Sequence, residues 1–168
     1  MINRLFTRKE NRINKLGKLS IGDKIPLFAL PAADGRTIGS TELGGQPLVV
    51  VFYPADSTPV CSSQLALYNE ALDMITDQNA RLVAISVDDI KSHKSFAESM
   101  KLRFPLLSDE DPRGDVSNAF GVYNEKDGVS ERALFVFDSE GILRWEHMSP
   151  RNVNPGAHGI LNALENVE

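Results

Sequence analysis

The run LVVVFY, Leu48 to Tyr53, carries six apolar residues with no polar break, which predicts a strand buried on both faces. Behind it, Leu65, Tyr68, Leu72 and Ile75 recur at helical spacing, and RLVAISV, residues 81–87, supplies a second buried strand. A strand, a helix and a strand in this order favour parallel pairing through a right-handed crossover. Upstream, LFALPAADGRTIG predicts two short strands around an Asp34-Gly35 turn, and STELGGQP a brief helical turn closed by Gly44 and Gly45.

Downstream, DIKSHKSFAESMK reads as an amphipathic helix through Ile90, Phe96, Ala97 and Met100, and DPRGDVSNAFG as a short helix ended by Gly121. ALFVFDSEGILRWEH predicts a hairpin around Asp138 to Gly141, and Asn154-Pro155 is expected to open a last helix carrying Ile160, Leu161 and Leu164. These elements make an α/β domain, a mixed central sheet flanked by helices.

Length changes the picture little: 168 residues with 42% hydrophobic composition suit one domain with a real core. Charge changes it more. Residues 1–18 hold six Lys or Arg against Glu10 alone, so the overall −5 divides into +5 there and −10 in residues 19–168. We read 1–18 as a basic N-terminal extension, a solvated arm, and 19–168 as the folded domain. The acidic body argues against nucleic acid as the main ligand, which needs a basic surface. No apolar run approaches the twenty or so residues of a membrane helix, and the charged start lacks the apolar stretch of a secretory signal. One cysteine makes no internal disulfide, which fits a reducing compartment, so cytoplasm is the expected location.

That cysteine lies in FYPADSTPVCSSQ, just beyond the first buried strand. Thr58 followed by Pro59 is a helix-start signal that puts Cys61 third in the helix. There, free backbone N–H groups and the positive end of the helix dipole favour a thiolate over a thiol. Residue type alone leaves Cys61 open to a second reading, as a small buried hydrophobe. Thr58 is explained fully by a capping hydroxyl, and Pro54 by strand termination.

Pro54, Thr58 and Cys61 form PxxxTxxC, which resembles the active-site signature of the peroxiredoxins, the AhpC/TSA family of thiol peroxidases. Gln64 stands where the family usually has Glu or Gln, and RALFVFDSEGILR is similar to its arginine-bearing hairpin, with Arg132 in the matching place. ISVDD, FPLLSDED and FGVYNEKDGVSERALFVFD follow in family order, so the resemblance runs from about Leu19 to His147. Within the family the chain is most similar to single-cysteine, AhpE-like members.

The resemblance implies a thioredoxin-like fold and reduction of hydrogen peroxide and organic hydroperoxides through a Cys61 sulfenic acid. Arg132 would keep the thiolate charged, the Thr58 hydroxyl and the Val60 and Cys61 N–H groups would orient the peroxide, Pro54 would shield the sulfur, and Gln64 would aim Arg132. With no second cysteine, an external thiol or a glutaredoxin- or thioredoxin-type redoxin must return the thiol, and no metal or organic cofactor is implied. It also implies a homodimer, although Asp56 and Ser57 replace the larger or apolar residues that relatives carry near a common subunit contact.

Other chemistries fit less well. A cysteine hydrolase needs a histidine base, and the contexts of His93, His147 and His158 read as structural or surface. Zinc lacks a clustered ligand set, and CSSQ is not the CxxC of a disulfide oxidoreductase. The rival reading that shares the site is a peroxide sensor or redox-controlled binding module without sustained turnover.

Overall fold

A computed structural model describes residues 19–167, so the basic extension expected at 1–18 lies outside the described residues. The elements are β1 (Ala29–Pro31), β2 (Thr37–Gly39), β3 (Leu48–Phe52), α1 (Pro59–Asp77), β4 (Arg81–Ser86), α2 (Ile90–Met100) and β5 (Leu106–Ser108), followed by α3 (Asp115–Ala119), β6 (Tyr123–Asn124), β7 (Val129–Ser130), β8 (Arg132–Phe137), β9 (Leu143–Ser149) and α4 (His158–Glu165). Five strands form the main sheet in the order β5-β4-β3-β8-β9. β3 pairs parallel with β4, from Leu48 opposite Arg81 to Phe52 opposite Ile85, and antiparallel with β8. The mixed α/β sheet expected from the strand-helix-strand pattern and the later hairpin is the one observed.

β3 sits at the centre, and all five of its residues are buried. Period-two alternation divides them between the sheet's faces. Val49 and Val51, with Tyr53 just beyond, join Leu82, Ala84, Leu134 and Val136 under α1, α2 and α4, which contribute Leu65, Tyr68, Ile75, Phe96, Ile160 and Leu164. Leu48, Val50 and Phe52 face the other way, toward the β1–β2 hairpin and Val116 and Phe120 at α3. Phe120 packs on Phe52 with centroids 4.9 Å apart and on Phe135 at 5.3 Å. Each such fully buried side chain stabilises the fold by roughly 1.5–3 kcal/mol relative to exposure.

STELGGQP makes the brief helical turn expected, with Leu43 N–H bonded to the Gly39 carbonyl at 3.2 Å, and two glycines and a proline give no length over which it propagates. One expected helical boundary differs. The last helix begins at His158 rather than at Asn154-Pro155. The Asn154 side chain accepts the Gly156 N–H at 2.9 Å, and Gly156 takes φ of 72°, so the chain turns once more before helix starts.

Candidate active site

The C-terminal end of β3 delivers the chain through residues 54–58 to the start of α1. Thr58 is the N-cap residue and Pro59 the first helical one, so Cys61 falls in the first turn, as the Thr-Pro pair predicts. The capping hydroxyl expected at Thr58 is absent: its Oγ1 donates instead to the Ala55 carbonyl at 3.1 Å. Ser62 N–H makes the first helical bond, to the Thr58 carbonyl at 2.8 Å. The Val60 and Cys61 N–H groups therefore have no acceptor within the helix and lie at its positive end.

Cys61 is 1% exposed, and against it lies a buried cation. Arg132, 2% exposed at the start of β8, donates from Nη2 to Cys61 Sγ at 3.3 Å. Register explains the meeting, since β8 pairs antiparallel with β3 and so starts beside the end of β3 that feeds α1. A buried guanidinium is costly unless its donors are used, and these are. Nη1 donates to Gln64 Oε1 at 2.5 Å, while Nε and Nη2 donate to the Arg151 carbonyl at 3.1 and 2.7 Å.

Gln64, wholly buried one turn beyond Cys61, is fixed in turn. Its Nε2 donates to the Tyr68 hydroxyl at 3.0 Å, and that hydroxyl donates to the Gly156 carbonyl at 3.1 Å. Burial pushes the Tyr68 phenol up to about 12, against the smaller downward pulls of Gln64 and Arg132, so it remains a donor. The chain thus brings together Cys61, Arg132 and Gln64. Pro54 and Thr58 stand on the loop leading to the helix, Pro54 half-buried and Thr58 turned back on Ala55.

Tyr68 and Arg151 belong to this network; the sequence marked Tyr68 only as an apolar position of its helix, and Arg151 not at all. Tyr68 lies four residues after Gln64, on the same helical face, a spacing that signals contact. Arg151 acts through its backbone carbonyl, which side-chain identity does not reveal. Its side chain pairs with Glu131 and Asp127, each at 2.8 Å.

Of the histidines, His147 is exposed and stacked on Trp145, His158 is exposed at the start of α4, and His93 is wholly buried. Ligating atoms of Asp56, Asp88 and His93 lie within 4.8 Å of one another. They are spent internally: His93 bonds Asp56 and the Leu107 carbonyl, and Asp88 accepts the Asp56 N–H. With both ring nitrogens of His93 in use, the set offers a metal ion no free imidazole and does not fit one. Among the described residues no helix is long and apolar enough to cross a membrane.

Comparison with known proteins agrees with this architecture. Residues 21–146 match the AhpC/TSA family. The chain is 36% identical over 130 residues to the chloroplastic peroxiredoxin Q of Triticum aestivum, an alignment covering 77% of this chain and 59% of that protein. It is 37% identical over 140 residues to the chloroplastic peroxiredoxin Q of Oryza sativa subsp. japonica, covering 83% and 63%. The chain spans about three fifths of the length of these plant relatives. Among solved structures, peroxidoxin BcpB from Mycobacterium tuberculosis matches with a TM-score of 0.80 at 28% identity, over 89% of this chain and 99% of that one. Enterococcus faecalis AhpC matches with a TM-score of 0.80 at 26% identity, over 86% and 90%. A sheet of this order, a cysteine in the first turn behind its central strand, and a family match over three quarters of the sequence converge: the chain belongs to the AhpC/TSA family, the peroxiredoxins.

Proposed function

We propose that this chain is a thiol peroxidase that reduces hydrogen peroxide and organic hydroperoxides at Cys61. The observation that carries the reading is the buried Arg132 guanidinium at 3.3 Å from the only sulfhydryl in the sequence. A permanent cation there favours the thiolate, which is the nucleophile.

Cys61 S⁻ attacks the terminal oxygen of the hydroperoxide; an S–O bond forms, the O–O bond breaks, and the departing alkoxide or hydroxide takes a proton to leave as alcohol or water. Sulfur is oxidised by two electrons and becomes a sulfenic acid. Negative charge spreads over both oxygens in the transition state, where donors fixed in advance are worth most. Arg132 Nη2 and the Val60 and Cys61 N–H groups are such donors, the Thr58 hydroxyl orients the peroxide, and Pro54 limits access of water. Gln64 aims the guanidinium.

The sequence holds no second cysteine, so the return step belongs to an external thiol or a glutaredoxin- or thioredoxin-type protein. One thiol condenses with the sulfenic acid, releasing water and leaving a mixed disulfide, and a second thiol frees Cys61. The AhpE-like grouping is part of this proposal and rests on the single cysteine. A homodimer, from the resemblance, and a cytoplasmic location, from the lack of an internal disulfide, complete it.

Steady-state peroxide consumption with a panel of glutaredoxin, thioredoxin and low-molecular-weight thiols tests the reading. Many equivalents consumed with one class of reductant, and none by Cys61→Ser, is the expected result. Consumption that stops at one equivalent with every reductant would make the protein a sensor, and full activity in Cys61→Ser would end the mechanism.

A further inference from the structure

We propose that the basic segment 1–18 binds an anionic lipid surface, joined there by Ile21 and Leu27, while Cys61 stays at the far end of the sheet. This goes beyond the peroxidase reading and does not rest on it.

Charge alone makes 1–18 a solvated arm, but the order of its residues gives it two faces. At about 100° per residue, the helical period, Ile2, Leu5, Phe6, Ile13 and Leu16 fall together on one side, and Arg4, Arg8, Arg12, Lys15 and Lys18 on the other. Residues 1–16 contain neither Gly nor Pro, and Gly17 follows directly as a stop signal. Lys9 is the one charge among the apolar positions, and its long stem lets the ammonium reach the polar side. Arg4, Arg8 and Arg12 stand four apart, a spacing at which like charges repel along a helix, so the pattern is satisfied only against a surface of opposite sign. Nucleic-acid phosphates would supply that sign but leave the apolar side unused. An anionic bilayer uses both, taking the apolar side below its headgroups and the basic side among them.

The described residues place this segment on the fold. Leu19, 1% exposed, belongs to the core cluster that holds Phe137 and Leu143. Gly22 N–H bonds the Leu143 carbonyl at 2.8 Å and Lys24 bridges to Ile142, so the chain enters beside the β8–β9 turn. Leu48, the first residue of β3, pairs with Phe137 at this end of the sheet, whereas Cys61 lies beyond the last residue of β3, Phe52. Crossing this end, the chain leaves Ile21 56% and Leu27 87% exposed, the latter the most exposed large apolar side chain among the described residues. Leu27 and Lys24 line one groove with Leu48 and Gly141. Apolar surface, a lysine and the entry of the basic segment therefore meet at the pole opposite the thiol.

The acidic body does not cancel the attraction. Residues 19–168 carry −10, but the field of an anionic bilayer decays over a Debye length of about 8 Å at physiological salt. Acids toward the Cys61 end are screened, while the cations of 1–18 lie in contact with the headgroups. Repulsion of the remaining acids turns the body, and Cys61 with it, away from the lipid.

Flotation of the full chain with vesicles tests this, using phosphatidylcholine alone and phosphatidylcholine mixed in equal parts with phosphatidylglycerol. Wild type should float with the mixed vesicles and not with the neutral ones, be released as salt rises, and gain helical circular dichroism when bound. Leu5→Ser combined with Phe6→Ser removes apolar surface at constant charge and should weaken binding about tenfold or more. Arg8→Gln combined with Arg12→Gln keeps the apolar side and should weaken it by about the same factor. Leu27→Ser changes an exposed position of the folded domain and should weaken binding about threefold with an unchanged melting temperature. Binding equal on the two kinds of vesicle, absent from both, or indifferent to the Leu5 and Phe6 changes would overturn the proposal. Unaltered binding by Leu27→Ser would overturn the placing of this pole on the lipid, and retention of a single-stranded RNA in place of the vesicles would assign the segment to nucleic acid instead. None of these readouts uses Cys61, so a thiol inert to peroxide would end the peroxidase reading and leave the vesicle result standing.

Discussion

The Arg151 backbone carbonyl accepts two hydrogen bonds from the Arg132 guanidinium, 3.1 Å from Nε and 2.7 Å from Nη2. The Arg151 side chain is in turn bonded to Glu131, the neighbour of Arg132, and to Asp127. One arginine thus holds the other through its main chain. Arg151→Ala keeps the carbonyl but frees the segment that carries it, so peroxide reaction at Cys61 should slow about three- to tenfold, near the ~1 kcal/mol of one hydrogen bond. Stopped-flow peroxide kinetics measure this, and an unchanged rate would show that the carbonyl needs no tether.

The same bracket carries a pH dependence of stability. Hydrogen bonds from Arg151, ahead of the opposing effect of burial, hold the Glu131 carboxyl below its ordinary range. The folded protein then binds this proton less readily than the unfolded chain, so the stabilisation is complete above the unfolded glutamate value of about 4.3. It is lost as pH falls through the lower folded value. Urea unfolding at pH 7 and pH 3 should show wild type losing more stability than Arg151→Ala, and equal losses would contradict the pairing.

Thr58 separates capping from chemistry. Its hydroxyl bonds Ala55 and not the helix, so Thr58→Val should cost no more than the ~1 kcal/mol of that one hydrogen bond and leave the helix start intact. Peroxide reaction should nevertheless fall roughly tenfold or more, the scale of a lost transition-state hydrogen bond, and recover in Thr58→Ser. A large stability loss with unaltered kinetics would return Thr58 to a purely structural place.

The core was legible because its signals are local and periodic. Five residues of LVVVF alternate between two faces that are both covered, and an unbroken apolar run reports that condition directly. The Thr-Pro pair marked the start of α1 for the same reason, since φ of proline and the missing N–H act within one turn. Thr58 shows the limit of such signals: residue type says that a hydroxyl can cap, while the loop bending back to Ala55 decides that it does not. Cys61 and Arg132 are 71 positions apart, and their meeting depends on antiparallel register between β3 and β8, which only the family resemblance anticipated. Asp56 and His93, 37 positions apart, and the Arg151 carbonyl had no signal at all, because a buried polar contact between distant segments leaves no period in the chain.

Tyr68 gives an alkaline counterpart to Glu131. Burial raises its phenol from an ordinary value near 10 to about 12, so the folded state holds this proton more tightly than the unfolded one. The preference is fully present below about pH 10 and is lost as pH rises through the folded value. Wild type should lose more stability in that window than Tyr68→Phe, which keeps only the like contribution of the buried Tyr53 phenol. At pH 7 the variant should be less stable by about 1–3 kcal/mol, since Gln64 Nε2 and the Gly156 carbonyl lose their partner in a buried site. Chemical denaturation at pH 7 and near pH 11 checks both parts, and a Tyr68→Phe protein as alkali-sensitive as wild type would refute the assignment.

Arg132→Lys tests the centre of the mechanism. Lysine keeps the charge but is a point donor, whereas the guanidinium reaches Gln64, the Arg151 carbonyl and Cys61 Sγ at once from a planar fork. A buried ammonium cannot span these three acceptors, so the donor that meets the breaking O–O bond is displaced. Loss of one such preset donor costs about 2.7–4 kcal/mol, a rate lower by roughly 10²–10³. The fold should weaken far less, because the charge and part of the hydrogen bonding survive. Peroxide reaction rate and urea midpoint, measured on the same preparation, separate the two effects. A lysine variant that reacts within threefold of wild type would mean that charge alone, without the fork, activates Cys61.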